Sequence, residues 1–304
     1  MTTAAAQIDS RGAGATRYGS MARGRKHALY WSYFFLILFV IFFLMPPIYM
    51  FITSLKTSAE IGAVTNPWWV YHPTLSNYTT LLTQPSFLIA FKNSAIVAVL
   101  VVSVTMVVSV LAAFSLARMK FWGSATLATG VFLTYLVPES LLFIPLFKIF
   151  ATVHDVTGIE LINHWWVLLF LYPTLTVPFC TWIMIGYFAS IPKELDEAAL
   201  IDGASYLQIL TRVFIPVALP GIIAAMIFCF TVAWANFLYP LAFTTSEDQL
   251  VMPVFIVTSL IKGDVYNWGQ IMTGALLGAA PPLIIYAFLM DYYIAGLTSG
   301  ATKG

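Results

Sequence analysis

Charge is what this chain has least of. Lys and Arg number 14 and Asp and Glu 13, together 9% of 304 residues, against about 25% in soluble domains. So few charges cannot clothe a water-facing surface. With 60% hydrophobic residues and a mean hydropathy of +0.88, the chain reads as an integral membrane protein. Cysteine is nearly missing: Cys180 and Cys229 both lie in apolar runs, which argues against a disulfide framework and for buried thiols. The four histidines, His27, His72, His154 and His164, are scattered over loops and termini, with no Cys/His group at metal-ligand spacing. No G-x-x-x-x-G-K run followed by Ser or Thr is present, so the chain does not hold ATP in a Walker loop. H-E-x-x-H and G-x-S-x-G are absent too, and no convincing nucleophile–base pair lies in the apolar runs. These gaps exclude an enzyme acting alone. A net charge of +1 gives no reason to expect a nucleic-acid partner.

What is present is a succession of apolar runs. Residues 1–27 form a flexible basic tail, with Arg11, Arg17, Arg23, Arg25 and Lys26 opposed only by Asp9. The run from about Tyr30 to Leu55 is too long for a signal-peptide core and predicts a first transmembrane helix, kinked at Pro46-Pro47. In the mixed segment 56–86, Pro67-Trp68-Trp69-Val70-Tyr71 fits an interfacial aromatic belt better than a sugar-stacking platform. Further helices are expected at about 88–116, at 125–150 (broken by Pro138 and Pro145), and at 165–190 with Pro173 and Pro178 inside. Two more follow at 217–243, opening near Pro220-Gly221, and at 271–294 around Pro281-Pro282. Membranes tolerate such prolines where neighbours satisfy the freed backbone groups.

Between the fourth and fifth runs lies a polar island, Ile191 to Gly221, holding Lys193, Glu194, Asp196, Glu197, Asp202 and Arg212. Pro192 suits a first helical turn and Ser190 an N-cap, and the early acids complement the helix dipole. Gly203 ends this helix as a C′ residue. Ser205 to Gln208 reads as a capping box, so a second short helix follows and runs to Pro216. The prediction is two short helices joined by a tight glycine turn on the membrane surface. A partnerless surface loop would carry more Lys and Arg, and a DNA-binding helix-turn-helix would be neither acidic nor tethered between apolar runs.

Six spans put both termini on one side. Ten cations (Arg11, Arg17, Arg23, Arg25, Lys26, Arg118, Lys120, Lys193, Arg212 and Lys303) would share the face that holds this loop. Four, Lys56, Lys92, Lys148 and Lys262, would lie towards the other. The bias makes the termini and the loop cytoplasmic.

The polar island resembles the cytoplasmic loop of binding-protein-dependent ABC importer permeases: Glu197-Ala198-Ala199, then Gly203, then Val213-Phe214-Ile215-Pro216. Val and Ile replace Ile and Leu in the family's I-x-L-P-like ending. The resemblance implies an all-α membrane protein with the type I importer permease fold, and residues 28–297 as the permease domain. It makes 191–219 a coupling loop that docks on an ATP-hydrolysing subunit through Glu197, Ala198, Ala199, Asp202 and Gly203. Asn93-Ser94, the 117–123 loop and the 234–241 stretch are similar to the carbohydrate-uptake branch. The ending Gly296-Leu297-Thr298-Ser299-Gly300-Ala301-Thr302-Lys303-Gly304 resembles that of the smaller maltose-type permease subunit. By residue type alone, 298–304 reads as a frayed end; the resemblance implies that this tail, through Thr298 and Lys303, contacts the ATPase.

Polar residues inside apolar runs are functional candidates by default. Glu139, after Pro138, would stand in the middle of the third span, as a path residue or as a structural acid. Asn236 lies in Trp234-Ala235-Asn236-Phe237-Leu238-Tyr239-Pro240, where the family pattern often reads W-N-E-F-L-W-P, so a polar contact is lost or moved. Asn236, Trp234, Tyr239 and Asn93 join Glu139 as substrate-path candidates, with helix packing the alternative for the aromatics. Asp291 reads as interfacial. The resemblance implies a second six-helix permease, two ATPase subunits carrying ATP and Mg, a binding protein outside the membrane, and a sugar, sugar alcohol or glycerol-type substrate, with no cofactor on this chain. The rival is a stand-alone secondary transporter or channel, which would rest on an ion relay and internal repeats. Neither stands out here.

Overall fold

The computed structural model describes the backbone of residues 3–63, 68–119, 121–262 and 265–299, with side chains described between 27 and 292 apart from 262 and 265. In chain order the helices are α1 (Thr3–Ser54), α2 (Ser58–Gly62), α3 (Ser76–Thr83), α4 (Pro85–Arg118), α5 (Ser124–Tyr135) and α6 (Glu139–Thr157), then a 3₁₀ turn Trp165–Val167 leading into α7 (Leu168–Ser190). Next come α8 (Lys193–Ile201), α9 (Tyr206–Ile209), a π-helical turn Leu210–Phe214, α10 (Ile215–Val217), α11 (Leu219–Ala235) and α12 (Leu238–Phe243). A 3₁₀ turn Glu247–Gln249, α13 (Met252–Ser259), a hairpin of two-residue strands, Ile261–Lys262 and Val265–Tyr266, and α14 (Trp268–Ser299) complete the chain. Among the described residues five helices are long and apolar enough to cross a membrane, or six if the bent pair Tyr206–Val217 and Leu219–Ala235 counts as one span.

Several boundaries depart from the sequence reading. The α1 backbone is helical from Thr3, where a flexible tail was expected; no proline precedes Pro46, and the Ala-rich start favours helix. The helix also runs without interruption through Pro46-Pro47. The third apolar run is broken at Pro138, as expected, but not at Pro145, which lies inside the continuous helix α6. Pro138, with φ −60° and ψ 134°, caps α6 in an extended conformation, so α5 stops at Tyr135 and a new helix starts at Glu139. The fifth run is divided as well. It bends by 81° at Ala218, and it stops at Asn236, whose ψ of 131° ends α11 before α12 begins. Pro67, Lys120 and Lys303 lie outside the described residues.

The long helix α4 is the centre of the bundle. Its buried face alternates apolar and small polar residues: Ala90, Ser94, Val97, Ala98, Val101, Thr105, Ser109 and Ala113. Small side chains let α7 and α11 approach closely, and their hydroxyls bond across helices. Thr105 Oγ1 and Thr176 Oγ1 are 2.7 Å apart, and Ser109 donates to the Val177 carbonyl at 3.3 Å. Such bonds average about 0.6 kcal/mol each in membrane bundles, so close packing carries most of the association. Cys180 and Cys229 are free and buried in α7 and α11. The apolar part of α1, by contrast, is exposed along its length, a surface suited to lipid or to another chain.

Polar clasps fasten the connections at the end of α4 away from α8. Asn163, in the left-handed region at φ 61°, accepts from Thr245 N and Ser246 N at 2.9 and 2.8 Å. Asn77 donates to the carbonyls of Ser54 and Lys56, at 2.9 and 3.1 Å. Trp68 meets Tyr49 of α1 edge to face at 5.6 Å.

Among the described glycines the closest helix–helix approach lies where α11 meets α7. A Cβ on Gly221 would stand 2.4 Å from the Tyr187 ring, whereas one on Gly186 would meet nothing within 4 Å. Gly221→Ala is therefore expected to cost about 1–3 kcal/mol through overpacking and to lower the melting temperature of the detergent-solubilised chain, while Gly186→Ala leaves it unchanged.

Candidate functional site

The polar island folds as its residues dictate, with two corrections. Pro192, not Ser190, is the N-cap of α8. The Ser190 hydroxyl instead turns back to donate to the Tyr187 carbonyl at 2.8 Å. Glu194 and Asp196 lie in the first turn of α8, favoured by its dipole. At its end Gly203 takes φ 81°, the Gly203 N–H donates to Leu200 O at 3.0 Å, and the Ala204 N–H donates to Ala199 O at 2.9 Å. This is a Schellman closure, which needs the left-handed residue. Ser205 and Gln208 then form a reciprocal capping box, with Ser205 N–H to Gln208 Oε1 at 2.8 Å and Gln208 N–H to Ser205 Oγ at 3.4 Å. The second correction concerns Pro216, which does not end the helix. The preceding turn widens, with the Ile215 N–H donating to Leu210 O five residues back. The helix passes Pro216 and reaches Val217 before the bend at Ala218.

This loop presents a surface rather than a pocket. Glu197, Ala198, Asp202 and Gly203 are exposed, and Ala199 is half-buried. Around them Leu195, Leu200, Ile201, Tyr206 and Leu207 are also exposed, Ile201 at 87%. Clustered apolar side chains with an acidic rim mark a protein-binding surface.

Beneath the loop sits a residue that the sequence reading used only as a marker of topology. Arg118, the last residue of α4, has a side chain 4% exposed. Its Nη2 donates to the carbonyls of Phe188, at 2.7 Å, in the last turn of α7, and of Ile191, the capping residue of that helix. Nη1 lies 3.5 Å from Asp196 Oδ1 on α8, and the guanidinium stands 4.7 Å from the centre of the Phe214 ring. The signal in the sequence was a lone arginine closing a long apolar helix; its partners were not legible there.

The second cluster lies where the two broken spans meet. Asn236 Nδ2 donates to Glu139 Oε2 at 2.7 Å, and Asn236 Oδ1 accepts from the Tyr239 N–H at 3.1 Å. The helix breaks at Pro138 and Asn236 are thus joined across the bundle. Glu139 is not in mid-helix, as expected, but in the first turn of α6. A helix N-terminus can offset up to about 2 kcal/mol in partly buried settings, and a hydrogen bond to a charged group about 1.5–3 kcal/mol. Together these match the about 2.5–3.5 kcal/mol charged for a carboxylate within a membrane helix. Tyr172 and Tyr239 stack next to this pair, with centroids 6.4 Å apart. Both are fully buried, and neither hydroxyl has a hydrogen-bond partner among the described residues.

The other candidates stand elsewhere. Asn93 is a clasp and not part of this cluster: its amide donates to the carbonyls of Asp248 and Leu250, both at 3.0 Å, while Ser94 Oγ accepts from the Met252 N–H at 2.8 Å. Trp234 is likewise packed away, donating to Gly278 O at 2.8 Å and stacking on Phe230. Thr298 lies on the α14 backbone, with its side chain outside the description.

Fold and loop define a class: a multi-pass helical membrane protein with an exposed apolar patch on a helical loop. The family model described as "Binding-protein-dependent transport system inner membrane component" matches residues 105–299, and the chain belongs to this family. It is 34% identical over 263 residues to the sulfoquinovosyl glycerol transport system permease protein SmoH of Agrobacterium fabrum, covering 86% of this chain and 89% of that one. The trehalose/maltose transport system permease protein MalG of Thermococcus litoralis is 32% identical over 271 residues, covering 88% and 94%. A chain in the crystal structure of a bacterial ABC transporter involved in the import of the acidic polysaccharide alginate superposes with a TM-score of 0.74 at 21% identity, covering 85% of this chain and 94% of that one. The fold is that of type I ABC permeases.

Gly203→Val places a β-branched residue at φ 81°, a strain of about 1–2 kcal/mol. The expected outcome is a chain that still inserts but whose loop is cut faster by protease between α8 and α9. Unchanged cleavage would mean that the turn tolerates the change.

Proposed function

We propose that this chain is one of two permease subunits of an ATP-driven importer in a bacterial inner membrane, forming half of the path for a carbohydrate or related polyol. The observation that carries the reading is the α8–α9 loop, in which an E-A-A run and a positive-φ glycine sit on an exposed apolar patch. An ATPase with a complementary groove is its natural occupant. The assembly would comprise this chain, a second six-helix permease, two ATPase subunits that hold ATP and Mg, and a binding protein that delivers substrate to the far face. In this reading there are six spans, the bent pair counting as one. Both termini and the α8–α9 loop face the cytoplasm, as the distribution of Lys and Arg favours. The tail with Thr298 and Lys303 would reach the ATPase.

ATP binding would draw the ATPases together, the loops would follow, and the paired permeases would open outward; hydrolysis would reverse the motion. Glu139 and Asn236, both half-buried, would line the path, with the buried Tyr172 and Tyr239 packed behind them. A carboxylate and an amide suit a ligand made of hydroxyl groups. Relatives named for sulfoquinovosyl glycerol and for trehalose/maltose support a carbohydrate.

The test is to purify the tagged chain from native membranes in mild detergent and identify its companions by mass spectrometry. An ATPase, a second six-span permease and a binding protein are expected. Recovery of this chain alone, still transporting, would overturn the importer reading. Glu139→Gln keeps an acceptor for Asn236 but removes the charge. It is expected to lower uptake about tenfold at unchanged membrane abundance, and wild-type uptake would make Glu139 a structural acid.

A further inference from the structure

We infer that Arg118 is the positioning residue through which movement of α8 reaches the transmembrane bundle, with Asp196 as the contact that carries it; this rests on the importer reading above. The geometry singles out this one side chain. It rises from the last turn of α4 and touches both flanks of the loop. On one side it holds the carbonyls of Phe188, in the last turn of α7, and of Ile191, the residue that caps that helix. On the other it lies against Phe214, in the π turn leading towards α11. Between them it meets Asp196, which faces the guanidinium from α8 itself.

Three features suit Arg118 to transmission rather than simple anchorage. Its side chain is 4% exposed and that of Asp196 19%, so the pair is little screened by salt and a displacement of α8 is felt electrostatically at α4. No hydrogen bond saturates it: Asp196 Oδ1 and Arg118 Nε both lack hydrogen-bond partners among the described residues, and the 3.5 Å contact is ionic. It can lengthen or re-aim without breaking a covalent or backbone link. Finally, α4 is a rigid connector. It is 34 residues long, about 50 Å at 1.5 Å per residue, and near its other end Asn93 and Ser94 grip the segment 248–252. A push at Arg118 is thereby delivered to the opposite end of the bundle.

The experiment uses the complete importer, with its ATPases and binding protein, in proteoliposomes, reading ATP hydrolysis and uptake together. Asp196→Asn removes the ionic contact and leaves the Arg118 bonds to Phe188 and Ile191 available. The expected result is an assembled complex that still hydrolyses ATP while substrate moved per ATP falls about tenfold, with Asp196→Glu restoring at least half of the loss. A wild-type ratio for Asp196→Asn overturns the proposal. So does failure of Asp196→Asn to assemble with Asp196→Glu no better, since the contact would then be a folding element. Uptake by the wild-type chain with no ATPase present would instead remove the importer reading on which the proposal stands.

Discussion

Inside a bilayer no water is at hand to satisfy a backbone group, so every helix break must be repaired from within the protein. That constraint organises this chain. Its apolar runs carry prolines, and the bundle deals with them in different ways. Through Pro46-Pro47 the helix continues. At Pro216 the turn widens to a π turn and the helix reaches Val217. At Pro138 the helix stops and another begins, and the new N-terminus receives Glu139. Where the helices stop inside the apolar runs, at Pro138 and Asn236, the carboxylate of Glu139 meets the amide of Asn236. The polar centre of the chain is therefore a consequence of where its helices fail.

The same requirement explains the central position of α4, which carries no proline beyond its first turn. An unbroken helix with a face of small residues can be approached by neighbours that are themselves broken. Thr105, Ser109 and Ser94 supply cross-helix hydrogen bonds, and its two ends supply the stronger ones, Asn93 at one and Arg118 at the other. The two surfaces that bear on function, the exposed loop and the buried pair at the helix breaks, hang on this one element or on the helices packed against it.

The loop was the most legible part of the chain. Its signals are local: acids early in a helix, a glycine for a positive φ, and a Ser–Gln pair three residues apart. Each acts over a single turn, so residue order alone specifies it. Two readings there failed. Ser190 has neighbours in reach other than a cap, and Pro216 was tolerated by a wider turn. The site within the bundle was legible only as a set of candidates. Glu139 and Asn236 were both identifiable as polar residues in apolar runs, but 97 residues separate them, and nothing local says that they touch. Asn93 was named for the same reason and proved to be a clasp on Asp248 and Leu250.

By itself the sequence determined that the chain lives in a membrane, roughly where its apolar helices run, and that a helix–turn–helix loop lies between the fourth and fifth of them. These follow from composition, periodicity and turn chemistry, which need no knowledge of distant contacts. Only the tertiary structure decided that the fifth run is divided at Asn236 and that this break is bonded to the one at Pro138. It also decided that Tyr172 and Tyr239 are stacked beside that bond and that Arg118 sits under the loop with Asp196. The reason is physical: a polar residue in an apolar run must find a partner, and its identity depends on which helices pack together, set by close fit of small and large side chains across the whole bundle.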